Sequence, residues 1–224
     1  MKSKYQHIKF LGAFFAAFFI FWPKSEAKTI LLTNTIVHTI SGPIYSPGFV
    51  LIDGDKIKAV GPATEQPRLK DVKKIDLQKQ HLFPGIIATT TSLGLMEIPA
   101  VRATVDTNEV GTYTPEVKSW LAINPDSELI PVSRANGITH FLPTPQGGVI
   151  AGQSGLMRTV GWGYENMIHK PSVALHLYWP QMNINPASEN TKKQTTERNK
   201  RLKKINEFFE QALAYVKSQS EPDH

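Results

Sequence analysis

The sequence contains no cysteine among its 224 residues. Disulfides, thiolate metal sites and an acylated lipoprotein anchor are therefore excluded. Acid is missing from the amino terminus, where Lys2, Lys4 and Lys9 precede the first carboxylate, Glu26. Charge of either sign is missing from Phe10 to Trp22. That apolar run is only 13 residues long, and a spanning helix needs roughly 20. It is followed by Ser25-Glu26-Ala27, a small-x-small pattern. A basic start, a short apolar stretch and a small-residue cleavage site predict a secretory signal peptide over residues 1–27. The expected mature chain starts at Lys28 in the periplasm or outside the cell, with no stable membrane anchor.

Strong net charge is also lacking. The whole chain is +6, and removing four lysines and one glutamate with the signal leaves +3. Much of that surplus sits in Lys192–Lys204, which reads as the solvated face of a helix. A surplus this mild gives no reason to expect a nucleic-acid partner.

What is present divides into two parts. Residues 28–82 read as a small antiparallel β unit of local hairpins. The expected strands are 29–33, 35–40, 49–52 and 57–60, with turns at Ser41-Gly-Pro43, Ser46-Pro-Gly48 and Asp53-Gly-Asp-Lys56. Residues 83–224 read as βα units. The mostly uncharged run from Leu82 to Leu93 has the composition of a strand buried on both faces. Residues 94–125 are irregular, and a helix is expected from Ser127 to Asn136, ending at Gly137. Ile138–Leu142 and Val173–Tyr178 are expected to be further buried strands. A final helix from Thr195 to Ser218 places Leu202, Ile205, Phe209, Ala212 or Leu213, and Val216 on one face. Strands alternating with helices predict an α/β fold with a parallel sheet.

The residues that bear chemistry are scattered. The mature-chain histidines are His38, His81, His140, His169, His176 and His224, and none forms His-x-His or His-x₃-His. A metal usually takes three or four protein ligands, so they read as ordinary hydrogen-bonded histidines. Gly152-Gln-Ser-Gly155 fails as a nucleophile elbow because position 156 is leucine. Thr144-Pro-Gln-Gly-Gly148 follows an expected strand. Its amides and Gln146, together with Gln153 and Ser154, are candidates to hold an anion or a substrate carbonyl; a simple glycine turn is the alternative. Thr89-Thr-Thr-Ser92 is a hydroxyl-rich strand end, either plain β-propensity or a binding surface. Glu97, Asp106, Glu109 and Glu116 lie in the irregular stretch, and nothing in their spacing pairs them.

The order of motifs resembles the amino-terminal portion of the amidohydrolase superfamily, in its imidazolonepropionase-like branch. The residues that carry it are the Asp53-Gly54 hairpin, Ile75-Asp-Leu77, Leu82-Phe-Pro-Gly-Ile-Ile87, Leu93-Gly-Leu95, Asn124-Pro-Asp-Ser-Glu128, Pro131–Thr139 and Gly147–Ser154. The resemblance implies a small β-sandwich-like unit followed by a (β/α) TIM-type barrel. It implies hydrolysis of non-peptide carbon–nitrogen bonds by a divalent metal, typically zinc, acting on a small-molecule substrate. It also implies a His-x-His pair on barrel strand one, and here Thr90 and Ser92 occupy those positions. Hydroxyls are poor ligands for such ions. No catalytic or metal-ligating residue is therefore assigned, and no cofactor is expected in this chain. Thr90, Ser92, Gln146, Gln153 and Ser154 remain as candidate substrate-binding residues. Phe83 to His224 is short of the roughly 250 residues of a full barrel, so the barrel is expected to stay incomplete. Two expectations follow: a second polypeptide that completes the barrel, or a metal-free binding module or remnant that uses the fold.

Overall fold

A computed structural model describes residues 29–184, 186 and 190–220. The expected signal peptide and His224 lie outside the described residues. The chain divides into two compact units, one ending at Pro84 and the other starting at Gly85.

The first unit is a five-stranded sheet in the order β3-β2-β1-β4, with β5 also paired to β1. The strands are β1 (Ile30–His38), β2 (Ile44–Asp53), β3 (Lys56–Pro62), β4 (Lys73–Asp76) and β5 (His81–Leu82). On β1 the side chains of Leu31, Thr33, Thr35 and Val37 are buried and their neighbours are half-buried. That alternation is the period-two signature of a strand. The β2–β3 hairpin turns at Gly54, whose φ of +63° suits a residue without Cβ. Three expectations are corrected here. β1 is one strand rather than two, and it carries a register irregularity around Asn34, which has a φ of +51°. Ser46-Pro47-Gly48 is not a turn but an irregular stretch inside β2; a Cβ on Gly48 would sit 2.8 Å from both Tyr45 and Val37 side-chain carbons. The unit is also not purely antiparallel, since β4 and β5 both run parallel to β1. Lys73-Lys-Ile-Asp76 has a single apolar residue, too little periodicity to announce a strand.

The second unit holds a four-stranded sheet in the order β6-β7-β8-β9. These are β6 (Ile86–Thr91), β7 (Ile138–Pro143), β8 (Ile150–Arg158) and β9 (Ile168–Leu177). Among the described residues three α-helices accompany them: α1 (Leu129–Ala135), the single turn α2 (Tyr164–Met167) and the long α3 (Thr191–Ser220). β6 and β7 are parallel, joined through α1, which closes at Gly137 with φ +90°. β7–β8 and β8–β9 are antiparallel. The expectation of a run of parallel strands therefore holds for one pair only, and Val173–Tyr178 belongs largely to an antiparallel hairpin. β8 was not expected as a strand, because Gly152 and Gly155 dilute its apolar pattern. β6 is an edge strand with Ile86 and Ile87 at 58% and 50% exposure, not a strand buried on both faces.

The main core of this unit gathers Leu93, Leu95, Trp120, Ile123, Ile130, Phe141, Met157 and Met167. Phe141 and Met157 face each other across β7 and β8, and both are fully buried. A second cluster packs Ile205 of α3 on Val149 and Ile150, with Tyr113 and Phe208 stacked beside it at 5.4 Å between ring centroids. The apolar stripe expected on this helix is only partly covered, since Leu213 and Val216 remain exposed.

Candidate functional site

Parallel strands present their carboxyl ends as a natural place for ligands. β6 and β7 end together, where the Thr144 amide donates to the Thr91 carbonyl at 2.8 Å. The Thr91 hydroxyl accepts from the Leu93 amide at 3.1 Å, and so turns the chain out of β6. Thr90 is exposed and Ser92 is half-buried. The β6–β7 register is irregular between Ala88 and Thr91, so strict alternation does not govern the strand end. The divalent ion of the resemblance does not fit these donors. Thr90 and Ser92 offer neutral hydroxyls, and among the described residues no three His, Asp or Glu side chains gather close enough to share a metal.

Beyond the strand ends runs an irregular segment, residues 106–121, and it lies against β8. β7 pairs with β8 only at His140–Arg158 and Phe141–Met157. Toward its start β8 bridges to this segment instead, through Tyr113–Ile150 and Lys118–Gln153. The Gln153 amide donates to Val117 O at 2.7 Å, and its side-chain Nε2 donates to Pro115 O at 2.7 Å. The Ser172 hydroxyl donates to Gln153 Oε1. The buried Ser119 hydroxyl lies 2.5 Å from Pro143 O and 3.1 Å from Gln153 O. Gln146 is exposed, and its amide donates to Thr107 O at 2.6 Å. Gln146 and Gln153 are thus both tied to one segment, but Gln153 uses its amide for packing.

That segment encloses an open groove of about 260 Å³, with Asp106, Asn108, Glu109 and Lys118 on its walls and Pro145 beside Gln146 closing one side. Two carboxylates, an ammonium and an amide share these walls with Val117, Leu121 and Ala122, so the groove offers charged groups on a partly apolar lining. The acids Asp106 and Glu109 were named from the sequence without any pairing, and Asn108 and Lys118 were missed. No periodic element carries them, so spacing held no signal that they converge.

Ser154 has a different place. It is fully buried on β8, and its Oγ lies 2.7 Å from Nε2 of His176 on β9. Burial pushes the His176 imidazole below its usual range, which favours the neutral ring. A serine and a neutral imidazole at this distance share the geometry of a nucleophile and its base. Here the hydroxyl is sealed from solvent, so the pair ties two strands together and Ser154 is not presented to a ligand.

An amidohydrolase from Thermotoga maritima MSB8 superposes on this chain with a TM-score of 0.62 at 24% identity, over 87% of this chain and 52% of that one. Over the matched residues, the fold is similar to that of this amidohydrolase structure. The chain spans about half the length of that structure, and identity at this level establishes the fold alone. Two other solved structures match over shorter stretches. A prolidase complexed with N-methylphosphonate-L-proline gives a TM-score of 0.37 at 21% identity, over 51% of this chain and 25% of that one. An N-acetylglucosamine-6-phosphate deacetylase from Pasteurella multocida gives 0.29 at 22% identity, over the same shares. Both are too partial to bear on the amidohydrolase reading. No protein-family model and no curated protein matches the sequence.

Proposed function

We propose that this is an exported protein, periplasmic or secreted, that uses the amidohydrolase fold without performing metal-dependent hydrolysis as an isolated chain. The observation that carries the reading is the donor set at the end of β6: neutral hydroxyls at Thr90 and Ser92, in a chain whose described residues gather no three His, Asp or Glu side chains that could share a metal. The fold's usual chemistry is metal-assisted cleavage of carbon–nitrogen bonds other than ordinary peptides, and these residues do not fit the ion it needs. The groove beside Gln146, with Asp106, Glu109 and Lys118, supports binding of a small molecule in place of turnover.

A second reading rests on β6. Its free edge and its exposed Ile86 and Ile87 suit pairing with further strands, as a second polypeptide that completes a partial (β/α) barrel would provide.

Native mass spectrometry of the protein recovered from its host's envelope fraction separates the two. A chain beginning at Lys28, without metal and without partner, agrees with the first reading. A heavier species that splits into this chain plus another polypeptide, with metal retained, replaces it with the second. Zinc-dependent release of amine from N-acyl amino acids or cyclic amides by the purified chain would overturn the first reading outright.

A further inference from the structure

At the other end of the same sheet, three basic side chains meet across three strands. His140 of β7 stands opposite Arg158 of β8 in the register. Arg158 Nη2 lies 3.2 Å from Nδ1 of His169 on β9. The rings of His140 and His169 meet edge to face, 5.1 Å between centroids. Arg158 and His169 are exposed, and His140 is half-buried. The ion pairs seen among the described residues, Lys58–Asp53 and Lys203–Glu207, lie elsewhere.

The hydrogen bonds determine which nitrogens are free. An arginine only donates, so His169 Nδ1 must accept, and the proton of its neutral ring sits on Nε2. The Thr139 hydroxyl lies 3.4 Å from Ile86 O and 3.1 Å from His140 Nδ1. With the Thr139 hydroxyl given to Ile86 O, the His140 Nδ1–H donates to Thr139 and Nε2 carries the lone pair; with the hydroxyl given to Nδ1, the proton sits on Nε2, so in either tautomer Nε2 is the nitrogen Thr139 leaves open. His169 Nε2–H and the remaining Arg158 N–H groups are unspent donors. His140 Nε2 is a third donor whenever it carries a proton. Burial first, then the electrostatic influence of His169 when it too is protonated and of the Arg158 guanidinium, hold His140 below its usual range. An arriving anion offsets the repulsion from those two neighbours.

We propose that His140, Arg158 and His169 form a binding site for a tetrahedral oxyanion of the phosphate class. The planar guanidinium supplies paired N–H donors to two oxygens, and the imidazoles supply the third and fourth contacts. The site is separate from the groove and does not depend on the proposed function.

The test is a titration of the whole protein with inorganic phosphate at constant ionic strength, balanced with chloride. Histidine ring resonances are followed by NMR. Saturable shifts at His140 and His169, with His38 and His81 unmoved, support the site. A rise in the His140 pKa on saturation supports it further. Arg158→Gln is expected to weaken binding at least tenfold, and Arg158→Lys to recover part of it. His169→Gln serves as an independent variant should the first fold poorly. Glycerol phosphate binding more tightly than inorganic phosphate would identify a phosphoester ligand, and equal binding the free ion. Shifts that never saturate, shifts of the same size at His38 and His81, or an Arg158→Gln protein that binds as before would overturn the assignment.

Discussion

Ser154 and His176 illustrate how a pair of residues with catalytic chemistry becomes structural. The hydroxyl is sealed from solvent, and burial biases the imidazole that meets it toward its neutral form. Ser154→Ala is expected to cost about 1 kcal/mol, the usual net value of one hydrogen bond, and to leave ligand binding in the groove unchanged. Urea denaturation measures the first part and calorimetry the second. His176 also sets a pH dependence. Its folded pKa lies below the unfolded value near 6.5, so the unfolded chain binds the proton more readily. Stability is therefore complete above about pH 6.5 and is lost as pH falls through the folded value. His140 is lowered as well and acts with the same sign. In chloride buffers, the denaturation midpoint should drop between pH 7.5 and 5, and His176→Gln should flatten that slope. A midpoint that rises toward pH 5 contradicts the assignment. Phe141, with no exposed surface and Met157 opposite, is the residue on which the core of this unit turns. Its change to alanine should cost about 3–5 kcal/mol, as large-to-small core substitutions do.

Among the elements, β8 decides where the groove lies, and Gly152 decides how closely the 106–121 segment approaches it. Gly152 has a φ of +121°, and a Cβ there would stand 2.7 Å from Val117 O. Both strain and collision oppose any side chain, so Gly152→Ala should destabilise the protein by at least about 1–3 kcal/mol. It should also expose the segment to proteolytic cleavage between residues 106 and 121, which mass mapping of the fragments would locate. The same element shows where sequence reading runs out. α1, β7 and the β2–β3 hairpin were legible because a Gly137 stop, a β-rich run and an Asp-Gly turn are local signals. β8 was not, because its glycines serve contacts with a segment some 35 residues upstream. Gln146 and Gln153 were named for their neighbourhood, and both do sit against that segment. The walls they border, Asp106 and Lys118, are set by tertiary approach, which leaves no trace in spacing. Thr90 and Ser92 were legible only through resemblance, since a strand rich in threonine is otherwise ordinary.

For the molecule as a whole, the decisive feature is what the second unit leaves uncovered. Ile86 and Ile87 stand half-exposed on an unpaired strand edge, and Leu213 and Val216 lie bare beyond the point where Ile205 anchors α3. An exposed apolar edge strand offers unpaired N–H and C=O groups to any second chain, another copy included. The helix stripe is less hazardous, because its own backbone is already hydrogen-bonded and only side chains can be buried. The edge should therefore dominate self-association. Ile87→Lys is expected to suppress concentration-dependent association in light scattering, while Leu213→Lys should change it much less. Both positions are solvent-facing, so neither charge should disturb the core, and thermal unfolding should stay within about 0.5 kcal/mol of the parent. If Leu213→Lys were the more effective change, the helix rather than the strand would be the sticky surface. A native partner would then be expected to cover α3 and leave β6 bare.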